Sequence, residues 1–377
     1  MTIKERIKAE GYALGFSFVG FALPDPPEHY AIYSDWLDAD HHGTMHYLAA
    51  QRNRERRANP QLILPECKTI IVLAANYPNP LSFPESTGEK TFGRIAAYAW
   101  PQDDYHITLP PLLEKLAQSI QTILGKPVKY RYYTDTGPIL EREFARRAGL
   151  GWIGKNTCLI SPDLGSFLFL AEILIDQFIE PDPPFTADRC GSCTKCIDSC
   201  PTQCILPDRT IDASKCISYL TIENKDEMPA SLRSKLGNWV FGCDICQLAC
   251  PWNHKTRDTA VSPIFKNTGP VRVDLQQEIQ LSSQEFNEKY RNSPIKRAKR
   301  KAYLRTLAIA LGNTRNPEMI DLIMRVLQTE TEPLVRAHLI WALGNIGTDR
   351  AREFLLQLQA DEKDPQCMAE IASALVK

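Results

Sequence analysis

A layered α/β domain, then a cysteine-rich module, then a helical tail is the architecture that the 377-residue sequence predicts. Three observations carry it. Helical periods alternate with buried apolar runs over residues 1–180. Nine of the twelve cysteines fall between Cys190 and Cys250. Paired helical patterns fill residues 298–377. At ~150 residues per domain, the length suits two to three such units.

Ile3–Leu14 has helical spacing and Phe16–Phe21 is a short apolar run. Thr69–Asn76 (TIIVLAAN) is expected to be a buried strand between Pro65 and Pro78. Leu112–Leu124 is expected to be a helix stopped by Gly125, and Val128–Thr134 (VKYRYYT) is β-rich. Pro138 should open a helix that runs to Gly149, with proline in the first turn and glycine at the end. Phe167–Ile175 is a further buried strand. Alternation of this kind argues for a layered α/β sandwich. The proline-rich break Glu180–Phe185 marks the first boundary, giving domains at 1–180 and 181–255. Residues 256–297 form a polar linker with a basic approach to the tail at 298–377. In the tail, Pro333–Gly347 carries apolar residues at helical spacing and a glycine stop, the pattern of a HEAT-type repeat helix. Room for at most two helical hairpins means that these repeats must bury their faces on other parts of the chain or on a partner.

Hydrophobic residues make up 44% and charged residues 24%, which excludes wholesale disorder. The longest nearly apolar run, Phe167–Ile175, contains Glu172 and is far short of the roughly 20 residues that span a bilayer. No membrane association is therefore expected. The first residues, MTIKERIKAEGYALG, lack an apolar signal core and a twin-arginine pair, so a cytoplasmic location is expected. Thiols stay reduced in that setting, so clustered cysteines point to metal ligation rather than disulfides. A net charge of −1 leaves nucleic-acid contact to a local patch.

Cys190-x2-Cys193-x2-Cys196-x3-Cys200-Pro201 is the bacterial ferredoxin run. In two-cluster ferredoxins its first three cysteines hold one [4Fe–4S] cube and the fourth holds the other. A tight loop can offer three thiolates to one cube, while the fourth lies on the next helical turn. Cys243-x2-Cys246-x3-Cys250-Pro251 mirrors the run without its first cysteine, and Cys216 can supply that ligand. The expected sets are Cys190, Cys193, Cys196 and Cys250 for one cube, and Cys200, Cys216, Cys243 and Cys246 for the other. Zinc is the competing ligand for such pairs, but eight cysteines with both Cys-Pro endings favour iron–sulfur. Cys204 is spare, and Cys67, Cys158 and Cys367 stand alone as structural residues.

Two cubes make a one-electron wire, and ~180 residues precede them, enough for a cofactor pocket. Gly149-Leu-Gly-Trp-Ile-Gly154 spells GxGxxG but follows a helix rather than a strand, so it is discounted as a dinucleotide site. No Asp-x-His-x-x-Gly run exists either, so a cobalamin with a histidine lower ligand of that type is not indicated. Asp135, in Tyr132-Tyr-Thr-Asp-Thr-Gly-Pro138, sits between an expected strand and helix, where α/β ligand sites lie. It either takes part in chemistry or only orders the turn. Asp104-Tyr-His106 is a second polar cluster. Arg291–Arg305 holds seven basic residues and no acid, which suits either phosphate contact or a solvated helix face.

Together these stretches resemble the epoxyqueuosine reductases, which complete queuosine in tRNA with cobalamin and iron–sulfur clusters. The resemblance runs through Arg57 with Leu62–Pro65, Asp104-Tyr-His106, Asp135-Thr-Gly137, Arg147–Gly151, Lys155-Asn156, Gly165-Ser-Phe167, both cysteine motifs, Cys216-Ile-Ser218 and Ser293-Pro-Ile295. It covers essentially the whole chain. It implies an α/β (α+β) cobalamin-binding domain related to reductive dehalogenases, a ferredoxin-like module with two [4Fe–4S] clusters, and HEAT-like repeats. It implies that Asp135 is the proton donor, that Arg57, His106, Asp135, Lys155, Asn156, Ser218 and Asp244 surround cobalamin, and that Lys296, Arg297, Lys299 and Arg300 contact tRNA. It also implies a monomer that takes electrons from a low-potential ferredoxin- or flavodoxin-type donor. Ile95–Trp100 and Pro101-Gln-Asp103 depart from the family pattern, and the cysteine that some members carry there is absent. The rival readings are a reductive dehalogenase and a non-catalytic electron-transfer subunit.

Overall fold

The structure, a computed structural model, describes residues 1–82, 91–266 and 268–376. Its strands are β1 (Phe18–Ala22), β2 (Thr69–Asn76), β3 (Phe92–Ile95), β4 (Tyr130–Tyr133), β5 (Trp152–Ile153), β6 (Leu159–Ile160), β7 (Leu168–Ile175), β8 (Trp239–Phe241) and β9 (Arg272–Asp274). The chain forms two compact units that interleave in sequence. The first comprises Met1–Pro84, Pro101–Ser214 and Asp244–Gly269, and the second Glu85–Trp100, Lys215–Cys243 and Pro270–Lys377.

The first unit is built on a four-stranded sheet in the order β1-β2-β7-β4. Every neighbouring pair is antiparallel, with Thr69 opposite Ile175 and Tyr133 opposite Glu172. All eight β2 residues are buried because both faces are covered. On one face Ile70, Val72 and Ala74 pack with Phe144 and Ala145 of the Glu141–Arg147 helix. On the other, the Ile3–Ala13 helix comes so close at Gly11 that a Cβ there would lie 2.6 Å from Val19. This explains an unbroken apolar run in an antiparallel strand, a pattern more usual in parallel sheets. A capping box between Thr2 and Glu5 starts the Ile3–Ala13 helix.

Two helices differ from the sequence expectation. The helix expected at Leu112–Leu124 already begins at Tyr105 and runs through Pro110 and Pro111. Asp104 caps it by accepting the His106 backbone N–H at 2.9 Å. The helix expected from Pro138 starts at Glu141, because Pro138–Leu140 belong to the turn that carries Asp135. The antiparallel sheet also removes the strand-switch argument for a site near Asp135. That residue still stands at the end of β4.

The second unit joins the small sheet β8-β3-β9 to five tail helices. Lys299–Thr314, Pro333–Ile346 and Pro365–Val376 pack in sequence, with Ile320–Thr329 and Asp349–Asp361 set beside them. Small residues let the inner helices touch: a Cβ on Gly344 would lie 2.6 Å from Ala374. Arg233, only 1% exposed, is paired with Glu227 and Glu370. Buried His338 donates from Nδ1 to the Leu334 carbonyl (2.7 Å) and accepts the Met228 N–H at Nε2 (3.3 Å). Burial pushes it down to about 3, so it is neutral at ordinary pH.

Gly151 has the tightest backbone approach in the first unit, since a Cβ would lie 2.0 Å from the Ile160 carbonyl oxygen across the β5–β6 hairpin. Gly151→Ala should cost at least about 2 kcal/mol. Thermal melting of the variant checks this, and an unchanged midpoint would contradict it.

Candidate active site and cluster cavity

The β5–β6 hairpin, the loop at Cys190–Cys196 and the start of the Pro251–Lys255 helix enclose a cavity of about 380 Å³. Cys190, Cys193, Cys196 and Cys250 all line it, so the first expected ligand set converges. Each is positioned for a local reason. Trp152 Nε1 donates to Cys190 Sγ at 3.4 Å. Lys155 Nζ donates to the carbonyls of Gly191 (2.7 Å) and Cys193 (3.0 Å), strapping the loop. Cys250 caps a helix whose first residue is Pro251. Behind it Asn253 donates to Ser166 Oγ (2.9 Å) and to the Gln247 carbonyl (2.7 Å), with no exposure. Burial, then neighbouring Cys190 and Cys250, push the Cys196 thiol up to about 11. Asn156, also in the lining, has a buried Nδ2 with no hydrogen-bond partner. Four gathered thiols fit a group that takes thiolate ligands, and the unsatisfied Asn156 donor fits a group that offers acceptor atoms. No His, Cys, Asp and Glu side chains among the described residues form a group of three or more that could hold a single metal ion.

Of the second set, Cys200 and Cys246 belong to the first unit and Cys216 and Cys243 to the second. Cys200 Sγ lies 3.5 Å from Cys204 Sγ and from Thr202 Oγ1. Cys204 is buried, as a small core residue would be. Cys216 caps the Ile217–Ile222 helix, which also carries half-buried Ser218. Asp244 is buried and caps the short Ile245–Leu248 helix, its carbonyl accepting the Leu248 N–H at 2.7 Å.

The turn after β4 carries the second centre. Asp135 has φ +59°, a left-handed conformation that costs a non-glycine residue about 1–2 kcal/mol. Its N–H donates to Glu141 Oε1 at 2.5 Å, and its side chain is 62% exposed. The carboxyl therefore stands largely in solvent. Its Oδ2 instead meets His106 Nε2 at 3.2 Å, and His106 Nδ1 meets Asp104 Oδ1 at 2.8 Å. Burial opposes charge on His106, but the hydrogen bonds to Asp104 and Asp135 outweigh it and lift the imidazole to about 9. Beneath the turn, burial and then Asp135 push Glu141 up to about 7. Burial and then Glu141 hold Glu172 well above the carboxylate range. Arg57, on the Gln51–Ala58 helix, donates from Nη2 to the Gly137 carbonyl of the same turn at 3.2 Å. Its Nη1 is buried with no hydrogen-bond partner.

The basic stretch divides on inspection. Arg305 is fully buried and donates to the carbonyls of Leu220, Asn224 and Asp226. Arg300 pairs with Glu330 at 2.7 Å and Arg297 with Glu223 at 2.8 Å. Lys296, Lys299 and Lys301 are exposed.

Sequence reasoning missed Glu141, Glu172 and Trp152. Glu172 was legible as the one acid in an apolar strand. Glu141 and Trp152 carried no signal, because their roles depend on which backbone groups the fold brings to them.

Fold and site together define an iron–sulfur oxidoreductase with a double-cluster module and a HEAT tail. Residues 189–253 match the 4Fe-4S double cluster binding domain, residues 57–136 match "Epoxyqueuosine reductase QueG, DUF1730", and residues 295–376 match HEAT repeats. The epoxyqueuosine reductase of Pseudomonas aeruginosa is 36% identical over 348 residues, covering 92% of this chain and 95% of the relative. A crystal structure of epoxyqueuosine reductase with an epoxyqueuosine-modified tRNA-Tyr stem loop superposes with a TM-score of 0.89 at 28% identity, covering 99% and 98% of the two chains. The Bacillus subtilis enzyme, solved with its catalytic aspartate loop swung out of the active site, gives 0.86 at 27% identity over 99% and 98%. The chain belongs to the epoxyqueuosine reductase family and is an oxidoreductase. No helix among the described residues is long and apolar enough to cross a membrane.

His106 titrates near 9 in the folded state against about 6.5 unfolded. Its stabilising contribution is complete below about pH 6.5 and is lost as pH rises through 9. Asp104→Asn should drop the His106 midpoint toward 6.5 and flatten the stability profile across that window. NMR titration of His106 with melting at each pH checks this, and an unmoved midpoint would contradict it.

Proposed function

We propose that this chain reduces epoxyqueuosine to queuosine in the anticodon loop of tRNA. The observation that carries the reading is the Asp104–His106–Asp135 chain at the mouth of a strained turn, in a protein whose relatives are named for that reaction. The net change removes the epoxide oxygen as water and consumes two electrons and two protons. Low-valent cobalt in bound cobalamin would supply the chemistry that opens the ring, and two [4Fe–4S] clusters would supply one-electron steps.

The chain's own residues do the rest. Cys190, Cys193, Cys196 and Cys250 would hold one cluster, and Cys200, Cys216, Cys243 and Cys246 the other. Arg57 and Asn156 each keep a buried donor without an acceptor, which fits the amide-rich rim of cobalamin. His106, Lys155, Ser218 and Asp244 complete the expected surroundings, although Lys155 is engaged on the Gly191 and Cys193 carbonyls. His106 holds a proton between its Nε2 and Asp135 Oδ2 at neutral pH. Asp135 passes it to the leaving oxygen, and His106 replaces it. Proton supply of this kind needs no buried carboxyl, only a protonated neighbour. Glu141 fixes the direction of Asp135 by accepting its N–H. A ferredoxin- or flavodoxin-type protein would supply the electrons, one at a time, to a monomer.

The substrate base lies in a loop that is already single-stranded, so extruding it costs little. Lys296, Arg297, Lys299 and Arg300 are the proposed tRNA contacts. The ion pairs of Arg297 and Arg300 place most of the phosphate attraction on the exposed lysines.

Asp135→Asn should lower conversion of epoxyqueuosine tRNA at least ~100-fold while iron content and tRNA affinity stay at wild-type values. Liquid chromatography of the digested tRNA reads the conversion. Full activity would remove Asp135 from the chemistry. Lys296→Glu with Lys299→Glu should weaken stem-loop binding and lower the slope of log K against log salt by roughly 2. An unchanged slope would exclude the patch.

A further inference from the structure

The cavity that gathers Cys190, Cys193, Cys196 and Cys250 has a positive rim that the reaction itself does not use. Arg189, Lys195 and Lys255 line the cavity and are exposed. Asp188 beside them is paired with Arg209, which cancels its charge. The chain as a whole carries a net charge of −1, so this rim is a local excess. Trp252 lines the cavity, and Trp152 and Phe185 pack with it and with Cys190 and Cys250. Trp152 stacks on Phe185 with centroids 5.6 Å apart and meets Trp252 edge-on at 5.0 Å. The Arg189 guanidinium lies over both Phe185 (5.5 Å) and Trp252 (5.7 Å), and Lys255 Nζ lies over Trp252 at 5.0 Å. Three of the four thiols at the opening are only half-buried.

We infer that this rim is the docking surface for an acidic, low-potential ferredoxin that delivers electrons to the Cys190–Cys193–Cys196–Cys250 site. The inference rests on the proposed cluster at that site. Three features of the surface fit such a partner. Electron transfer between proteins needs a donor centre brought close to an acceptor near the surface, and here the ligating side chains reach the opening. Complementary charge steers the encounter and speeds it 10- to 1,000-fold. Trp and Arg at the centre of a small patch are the residues that anchor short-lived interfaces. In each transfer one electron leaves the reduced ferredoxin, which becomes oxidised, and one four-iron cube is reduced by one electron. No bond or proton changes hands. Two such encounters supply one turnover. A tRNA phosphate backbone would also favour positive charge, but the exposed lysines of the Lys296–Lys301 stretch offer it a longer basic run, away from any cysteine in sequence.

The test uses the full chain, loaded with iron and sulfide under anaerobic conditions, and a reduced acidic plant-type [2Fe–2S] ferredoxin as the probe. Stopped-flow absorbance follows cluster reduction without tRNA, so its outcome is independent of turnover. Arg189→Glu, Lys195→Glu and Lys255→Glu together should lower the second-order rate constant at least ~10-fold at low salt. They should also abolish its decline with added salt, while photoreduction by a neutral deazaflavin stays within twofold of wild type. If the triple variant loses iron, Lys195→Gln with Lys255→Gln, which keeps Arg189 on its aromatic partners, should still lower the rate at least threefold. A ferredoxin rate and salt dependence equal to wild type in an iron-replete variant would overturn the inference. So would an unchanged ferredoxin rate accompanied by weaker binding of a tRNA stem loop, which would give the rim to RNA. Normal cluster reduction with no conversion of epoxyqueuosine tRNA would instead count against the proposed function.

Discussion

A cavity that gathers four cysteine side chains must be clamped by its surroundings. That constraint organises the first unit. The clamp is made of a close backbone approach and side-chain hydrogen bonds to the cysteine loop and the Cys250 helix. Gly151 lets the β5–β6 hairpin close, and Trp152 reaches from it to Cys190. Lys155 ties down two carbonyls of the cysteine loop. On the opposite wall, Asn253 and Gln247 fasten the Cys250 helix start to Ser166, just before β7. The four-stranded sheet thus fixes the cavity through β7, and the Asn253, Gln247 and Ser166 fastenings are buried.

The same sheet presents the acid–base turn at the end of β4. A carboxyl that is 62% exposed gains little from burial, so its chemistry depends on neighbours. His106 is charged at neutral pH because its hydrogen bonds to two aspartates outweigh its burial. Glu141 and Glu172 sit on the opposite side of the turn, where burial favours their protonated forms. The two sides of the turn therefore differ: His106 is paired with two aspartates on one, and burial favours the protonated forms of Glu141 and Glu172 on the other. A left-handed Asp135 is tolerated because Glu141 holds its N–H and Arg57 holds the Gly137 carbonyl.

Much of this was legible in the sequence where chemistry imposes spacing. That Cys190, Cys193, Cys196 and Cys250 share one cavity was expected from the ferredoxin run, whose intervals suit one cube. The β2 strand followed from its apolar length, and the tail from its helical period. The helix Tyr105–Leu124 was read short, from Leu112, yet Asp104 caps it about two turns earlier. The fully antiparallel sheet was not legible, since an eight-residue apolar strand buried on both faces resembles a parallel one. Nor was the division of the basic stretch. Charge counts seven residues from Arg291 to Arg305 alike, whereas packing buries Arg305 and pairs Arg297 and Arg300.

The central claim is that one chain combines a two-cluster wire with a cobalamin pocket. Metal analysis of the anaerobically reconstituted protein tests it most directly, read together with optical and EPR spectra. The account predicts about eight irons per chain, as two four-iron cubes, with one cobalt retained through gel filtration. Eight irons with no cobalt retained would contradict it and leave a protein that carries electrons without the centre that uses them.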